Sequence, residues 1–537
     1  MYLTFTKLRF YCLILTVQFY PVLFSQKNTK PVDQTRIYYN PVIHADFSDP
    51  DVVRKGSDYY LIASSFNCVP GIPILHSKDL VNWKQVNYAL PRLIPLDYYA
   101  KSQHGKGVWA PCIRIHNNEF YIYYPDPEFG IYMVKSKDPR EKWSEPVLVK
   151  KGKGLIDPTP LWDDDGQTYL VYAFAGSRAG IKSILVVCTM NKEGTLANND
   201  EVLVFDGHRE HPTVEGPKLY KRNGFYYIFA PAGGVKYGWQ LVLRSKNIYG
   251  PYDVKTVLEQ GRTGINGPHQ GAWIQTPSGQ DWFIHFQDKG AYGRILHLQP
   301  MKWINNWPVI GTDPDNDGKG EPVESGLYPA TATDTEHDKM LFSDEFSLPA
   351  LGFQWQWHAN PETYWGFPSA EGYYTLFCRP LPENYHNLFD VPNLLLQKFP
   401  DEEFSATCKL TFFPESEDEK FGFVVMGLDY SYIKFFKRNE KMYLSQVKCV
   451  DADKGTAETE SNPVLVNINP IYLRVKVSKG GVCIFSYSEN NSDFFSIGES
   501  FVAKEGKWIG AKLGFVALRD SFINDAGYAR IDWIRFN

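Results

Sequence analysis

The stretch SDPDVVRKGSDYYLIAS (residues 48–64) contains the two features that decide the fold. Its second half is a turn followed by aromatic and aliphatic residues, which is typical of a strand entered from a hairpin. The pattern recurs as NEFYIYY (118–124), GQTYLVYA (166–173), GFYYIFA (224–230) and QDWFIHFQ (280–287). Aligned on their central aromatic residues, the copies are 48 to 61 residues apart. A period of this size with several strands per unit predicts a β-propeller, and five copies predict five blades.

The composition agrees with an all-β protein. Aromatic residues make up 15% of the 537 residues, and the chain has 42 Gly and 36 Pro. Such a sequence favours strands and turns over long helices. The net charge of -5 provides no basic surface for nucleic acid, so we expect no nucleic-acid partner.

The first 25 residues resemble a secretory signal peptide. Lys7 and Arg9 precede an apolar run from Phe10 to Phe24, and Ser25 stands before a polar stretch. We therefore expect a periplasmic or secreted protein that does not insert into a membrane once the signal is removed. No cysteine follows the apolar run, so a lipid anchor is not indicated.

The cysteines do not indicate a metal site or a catalytic thiol. Removal of Cys12 with the signal leaves seven, an odd number, and none stands in a Cys-x-x-Cys or Cys/His zinc spacing. We expect buried free thiols at Cys68, Cys112, Cys188, Cys378, Cys408, Cys449 and Cys483.

The first half of the opening stretch contains the second decisive feature, Asp49, which stands 11 residues before the aligned aromatic residue of its copy. Chemically unusual residues stand 11 to 14 positions before each aligned aromatic. In a propeller this position belongs to the innermost strand of each blade, so these side chains should meet at one end of the central channel. They are Asp49, Trp109, Asp157, Glu215 and His269.

Three of these residues are acids with apolar neighbours and a proline close behind, in SDPDVV (48–53), LIDPTPLW (155–162) and VEGPKLY (214–220). An acid directly before proline is expected to be extended. A charged group in an apolar strand is costly unless it is paired or used. Inverting glycoside hydrolysis needs such a set: a carboxylate base for water and a carboxylic acid for the leaving oxygen. A third carboxylate raises the pKa of the acid by repulsion.

These segments, with GVWAPCI (107–113) and GPHQGAW (267–273), resemble glycoside hydrolase family 43. The resemblance implies a five-bladed propeller with inverting exo- or endo-activity. It implies that Asp49 is the general base, Glu215 the general acid, and Asp157 the residue that modulates the pKa of the acid and orients it. Asp46 and Asp51 lie beside the base, and Asp51 is expected to support it from behind.

Further pocket residues are expected from the same resemblance. Trp109 and Phe66 are candidates for stacking on a sugar face, with core packing as the alternative. Arg294 resembles an arginine that binds substrate hydroxyls. His269 and Gln270 resemble the axial histidine segment, in which some members hold calcium; a plain core histidine is the alternative. We expect no required cofactor, with Ca²⁺ in the channel as an open possibility.

Residues 313–340 are polar and predict a linker after a propeller domain at 26–312. Within them, DPDNDGKGEPVE (313–324) satisfies the EF-hand loop pattern. Trp307-Pro308 precedes the string and Pro322 interrupts it, which argues against EF-hand helices. We therefore interpret the string as an exposed loop, with a calcium loop of another kind as the alternative. DDDG (163–166) predicts a hairpin turn.

Residues 341–537 contain alternating runs such as SATCKLTFF (405–413) and IYLRVKVS (471–478), which predict half-buried strands and a β-sandwich. The region resembles the concanavalin A-like domain that ends many family-43 enzymes. A loop of this domain is expected to close one side of the active site, with independent carbohydrate binding as the competing role.

The sequence thus favours a secreted inverting exo-glycosidase acting on plant hemicellulose. NCVPGIPILHSKDLVNW (67–83) resembles members that release terminal α-L-arabinofuranosyl residues, and a β-xylosidase or a dual enzyme is the alternative. Two other classes fit less well. A retaining fructoside-cleaving propeller would need a WMNDPNG start, and a silent sugar-binding propeller would have lost one of the acids.

Overall fold

The structure is a computed structural model that describes residue 1 and residues 36–330, 339–522 and 524–537. The expected signal peptide, apart from Met1, lies outside these residues, as does Cys12. Helices are few and short: the α-helix Gly176–Ala179 and the 3₁₀ helices Tyr98–Ala100, Gly290–Tyr292, Leu388–Asp390 and Ala452–Lys454. In the described part of the chain, no helix has the length and apolarity needed to cross a membrane.

Five four-stranded antiparallel sheets follow one another along the chain, which confirms the five-bladed propeller. Each blade is one contiguous segment whose strands pair in sequence order. Blade I comprises Asp51–Lys55, Asp58–Ile62, Gly71–Ser77 and Lys84–Leu90; blade II comprises Cys112–His116, Glu119–Asp126, Gly130–Ser136 and Val147–Lys151. Blade III comprises Leu155–Trp162, Thr168–Phe174, Ile184–Met190 and Val202–Asp206; blade IV comprises Lys218–Arg222, Phe225–Ala232, Trp239–Ser245 and Asp253–Leu258. Blade V comprises His269–Gln275, Asp281–Asp288, Arg294–Ile304 and Trp307–Ile310.

The first strand of each blade lies innermost. First strands of neighbouring blades contact one another, and blade V closes the ring by packing against blade I. The repeated aromatic pattern forms the second strands, whose apolar residues fill the spaces between blades, as Tyr60 and Phe120 do between blades I and II. Because the inner strands converge, residues at their beginnings face one end of the channel.

A short two-stranded sheet reinforces the ring where its two ends meet. Ile37–Tyr39 pairs with Ser325–Leu327, which lies within the segment that we interpreted as a linker. The Tyr38 hydroxyl also donates to the Leu298 carbonyl at 2.8 Å. Residues before blade I and after blade V are therefore tied to each other and to blade V.

The C-terminal region is the expected two-sheet sandwich. One sheet contains Gln356–Trp357, Arg379–Pro380, Leu395–Lys398, Lys420–Met426, Tyr430–Arg438, Lys441–Cys449, Thr459–Glu460, Val464–Val466 and Lys512–Arg519. The other contains Gly366–Pro368, Tyr374–Phe377, Phe404–Phe413, Ile471–Ser478, Val482–Ser488, Phe495–Ser496, Phe501–Val502 and Tyr528–Phe536. Inward side chains of both sheets, among them Leu410, Phe423, Phe515 and Ile531, form one core.

The two domains are joined by backbone as well as side-chain contacts. Val69 and Trp357 exchange two backbone hydrogen bonds of 2.9 and 2.7 Å. The Lys512 ammonium donates to Cys68 Sγ at 3.0 Å. The seven cysteines of the described residues are all buried and unpaired. The contacts of Val69 and Lys512 fix one edge of the sandwich against blade I.

Candidate active site

Three acids from separate blades line one cavity at the beginnings of the inner strands. Asp49 lies just before blade I, Asp157 in the first strand of blade III, and Glu215 just before blade IV. The cavity has a volume of about 110 Å³. Ligand pockets for drug-sized molecules span about 300–1,000 Å³. This cavity is therefore suited to one small ring and not to a long chain.

The backbone at this site is unusual. Asp49 and Asp157 both have a φ of 56°, and Phe66 and Gln270 have φ values of 50° and 33°. The expectation of an extended backbone at Asp49 and Asp157 was therefore wrong. A β-bulge lies between Ile156 and Thr159, and such bulges re-aim side chains. Non-glycine residues with positive φ cost about 1–3 kcal/mol each and cluster at functional sites.

Asp49 is surrounded by hydrogen-bond donors. Its carboxylate accepts from Ser64 Oγ at 2.6 Å, from Ser48 Oγ at 3.0 Å and from Arg294 Nη1 at 3.3 Å. The group is only 5% exposed. These donors orient a carboxylate that is ready to accept a further hydrogen bond, which is what a base for water requires.

Asp157 and Glu215 are the other two of the three acids that line the cavity. The Gly216 N–H donates to Asp157 Oδ2 at 2.7 Å, and Gln270 Nε2 lies 3.5 Å from Oδ1. Burial, and then repulsion by Glu215 and Asp49, raise the pKa of Asp157 to about 8. Asp157 therefore holds a proton near neutral pH, beside Glu215.

The expected histidine contacts the expected acid. His269 Nε2 lies 3.0 Å from Glu215 Oε1, and the imidazole is fully buried. Its other ring nitrogen, Nδ1, has no hydrogen-bond partner among the described residues. His269 thus fixes one oxygen of Glu215 and leaves the other available to a substrate.

Aromatic rings form the walls of the cavity. Phe66 and Trp109 both line it and contact each other edge to face, with centroids 6.2 Å apart. Trp109 is held by a hydrogen bond from Nε1 to the Gly105 carbonyl at 3.0 Å. All eight site residues named from the sequence are thereby found together: seven line the cavity, and His269 stands behind Glu215.

Sequence reasoning did not name the sandwich residue that completes the wall. Trp508 lines the cavity with its ring 6.1 Å from that of Trp109. Asp46 fixes this loop to the propeller, because its carboxylate accepts from the backbone N–H of both Arg294 (2.8 Å) and Gly510 (3.0 Å). The only local signal is a tryptophan in the glycine-flanked segment GKWIG (506–510).

Asp51 does not line the cavity. Its carboxylate accepts from the Ile113 N–H at 2.9 Å and pairs with Arg114 at 2.7 Å, with the Lys218 ammonium 3.9 Å away. Burial alone would raise the pKa of Asp51, but these two cations hold it below its usual value. Asp51 therefore joins blades I, II and IV behind the site.

The described residues do not assemble a metal site. They contain no group of three or more His, Cys, Asp and Glu side chains suited to a metal ion. Calcium takes about six to eight oxygen ligands, and the imidazole of His269 offers none, so this side chain does not by itself provide a calcium site. The string 313–324 is a loop in which Asp313 accepts from the backbone of Asp317 and Gly318, and Arg262 neutralises Asp315.

Known proteins resemble both domains. Residues 38–308 match the model of glycosyl hydrolases family 43, and residues 343–537 match the beta xylosidase C-terminal concanavalin A-like domain. A beta-xylosidase from Formosa agariphila is 30% identical over 93% of this chain and 90% of its own length. A non-reducing end alpha-L-arabinofuranosidase from Bacteroides ovatus is 28% identical over 73% of this chain and 74% of its own.

Solved structures of family-43 proteins resemble this chain over both of its domains. The family-43 protein BlXynB from Bacillus licheniformis is 25% identical, with a TM-score of 0.80, covering 93% of this chain and 99% of that one. Sequence, fold and site agree: the chain belongs to glycosyl hydrolases family 43.

Proposed function

We propose that this glycosidase is an inverting exo-enzyme that removes a terminal pentosyl residue from hemicellulose. The observation that carries the proposal is the convergence of Asp49, Asp157 and Glu215 on one small cavity. A site walled by Trp109 and by Trp508 of the sandwich accepts the end of a chain and not its middle. Residues 1–25 support a periplasmic or extracellular location.

In this mechanism the ring of the terminal sugar lies between the base and the acid. Asp49 takes a proton from a water molecule, whose oxygen attacks the anomeric carbon. The bond from that carbon to the glycosidic oxygen breaks on the opposite side, and Glu215 gives its proton to the departing oxygen. The released sugar has the opposite anomeric configuration, and no covalent enzyme intermediate forms.

Neighbouring residues hold the base and the acid in their separate positions. Arg294 and the two serines orient Asp49, and Arg294 also faces the cavity, where it can bind sugar hydroxyls. His269 orients Glu215, while the Gly216 N–H holds Asp157 beside it. Because the pKa of Asp157 is raised to about 8, this carboxyl keeps a proton near neutrality and places no second negative charge beside Glu215.

Two pentoses are candidates for the released sugar. A β-D-xylosyl residue is supported by relatives named beta-xylosidase that span most of the chain, such as those from Formosa agariphila and Bacillus subtilis. An α-L-arabinofuranosyl residue, which the sequence segments favour, is supported by the Bacteroides ovatus relative. We place xylose first and arabinose second.

The test is hydrolysis of 4-nitrophenyl β-D-xylopyranoside and α-L-arabinofuranoside, with the first-formed sugar anomer followed by NMR. We expect cleavage of at least one, faster for the xyloside, and inversion of configuration. Glu215→Gln is the control for contaminating activity. Retention of configuration, or internal cleavage of xylo-oligosaccharides, would contradict the proposal.

A further inference from the structure

A second cavity lies at the other end of the propeller from the acids. It has a volume of about 590 Å³ and lies between blades II and III, where each first strand turns into the second. Trp162 ends the strand Leu155–Trp162, which contains Asp157, and five steps of about 3.3 Å separate the two residues by roughly 16 Å. This blade II–III cleft, lined by His116, Tyr121, Trp162, Gln167 and Glu193 among others, is thus separate from the catalytic cavity.

The cleft has an aromatic wall. The His116 imidazole stacks on the Trp162 indole with centroids 4.4 Å apart and an interplanar angle of 8°, and Tyr121 packs against Trp162 at 5.0 Å. His116 and Trp162 are only half-buried, so apolar ring surface remains open to the cleft. Burial lowers the pKa of His116, which keeps this wall uncharged at neutral pH.

The remaining lining is polar but electrically balanced. Lys135 is paired with Glu119 at 2.9 Å, and Asp163 with Lys221. The side chains of Lys192 and Glu193 are exposed and of opposite charge, and Gln167 adds an exposed amide. Such a lining provides donors and acceptors without selecting for an anion or a cation.

We propose that the blade II–III cleft is a second, non-catalytic binding site for a neutral oligosaccharide chain. Uncharged rings beside balanced polar groups suit a ligand with apolar sugar faces and many hydroxyls, and the volume lies within the range of about 300–1,000 Å³ for ligand sites. The choice of a xylan-type chain rests on the proposed function. A polymer held there raises the local concentration of chain ends around the catalytic cavity.

The test uses the full chain carrying Glu215→Gln, so that ligand is not consumed, and measures xylohexaose and soluble arabinoxylan binding by calorimetry and affinity electrophoresis. We expect two classes of site. His116→Ala should weaken the second class about tenfold, equivalent to about 1.4 kcal/mol. The matched control, His208→Ala, removes an exposed histidine that lines neither cavity and should change nothing.

A second variant and a second readout keep the test decisive. Gln167→Ala with Glu193→Ala removes exposed side chains only, so it should weaken the same class without loss of fold. With Glu215 intact, both variants should cleave nitrophenyl pentosides at the unaltered rate. Loss of xylan binding in an enzyme that cleaves no pentoside would support the cleft and refute the proposed activity. Unchanged binding in both cleft variants would overturn the cleft proposal, even in an active enzyme.

Discussion

Asp51 and Asp157 are two buried carboxyls on inner strands of the same propeller, and their surroundings act on them in opposite directions. Both are at most 2% exposed. Asp51 faces Arg114 and Lys218, and its pKa is held below the usual value; Asp157 faces Glu215, and its pKa is raised to about 8. With similar burial, Asp51 is an anion near neutral pH whereas Asp157 holds a proton. The sign of the neighbouring charge therefore separates a structural acid from a chemical one.

The largest effect on the catalytic rate is expected from the three acids that line the cavity. Asp49→Asn keeps the size of the side chain but removes the base, so kcat should fall about 10⁴-fold, at the upper end for a general base. The fall should be similar for good and poor leaving groups, because water activation is needed for both. Steady-state assays on nitrophenyl pentosides and on xylobiose measure it. Near wild-type rates on the nitrophenyl substrate would show that Asp49 is not the base.

The next largest effect is expected at Asp51 and should lower the stability of the fold, not the catalytic rate. Asp51→Asn leaves Arg114 and Lys218 without their carboxylate, and removing one partner of a buried ion pair costs about 3–5 kcal/mol. Urea unfolding should show this loss in the free energy of unfolding. Asp253→Asn, which removes an exposed acid beside Arg244, is the control, with a smaller change expected. If Asp51→Asn were as stable as the parent, the structural interpretation of Asp51 would fail.

The dependence of stability on pH should distinguish the two acids by sign. The pKa of Asp157 rises from about 3.9 when unfolded to about 8 when folded, so its cost to stability is absent below pH ~4 and grows as pH rises to ~8. Asp157→Asn should remove a slope of at most about 1.4 kcal/mol per pH unit in that window.

Asp51 contributes in the opposite sense, because its folded pKa is lowered. Its stabilisation is present above the unfolded pKa of about 3.9 and is lost as pH falls through the folded value. Urea midpoints of the parent and both variants from about pH 2, below the unfolded pKa of Asp51, to about pH 9 measure the two slopes. Slopes of the same sign would contradict the opposite pKa shifts of Asp51 and Asp157.

The smallest effect should come from the sandwich wall. Trp508→Ala removes a ring that packs near Trp109 and Arg294, so kcat/KM should fall about tenfold, or about 1.4 kcal/mol, mainly through KM. Lys507→Ala is the neighbouring control and should change KM little. An unchanged KM in Trp508→Ala would mean that the wall does not contact the sugar.

The blades and the acids could be predicted because both depend on short-range spacing. Asp49, Asp157 and Glu215 each precede their strand hairpin by nearly the same interval, and this interval alone brings them to one end of the channel. The resemblance to a known family then assigned their roles.

Other parts of the site depend on contacts between distant segments. Asp49 and Asp157 have a positive φ, against the extended backbone that the following proline favours, and both carboxylates are held by distant residues, Arg294 and Gly216. The partners of Asp51 lie on blades II and IV, and Trp508 comes from another domain. No local pattern encodes these pairings.

The carboxylate of Asp46 has a consequence for how the molecule melts. It binds backbone N–H groups of a propeller residue, Arg294, and a sandwich residue, Gly510, while Val69 and Trp357 join the same two domains. Neither domain can unfold without breaking hydrogen bonds to the other domain. Heating should therefore produce one cooperative calorimetric transition, and the catalytic pocket should persist until the whole chain unfolds.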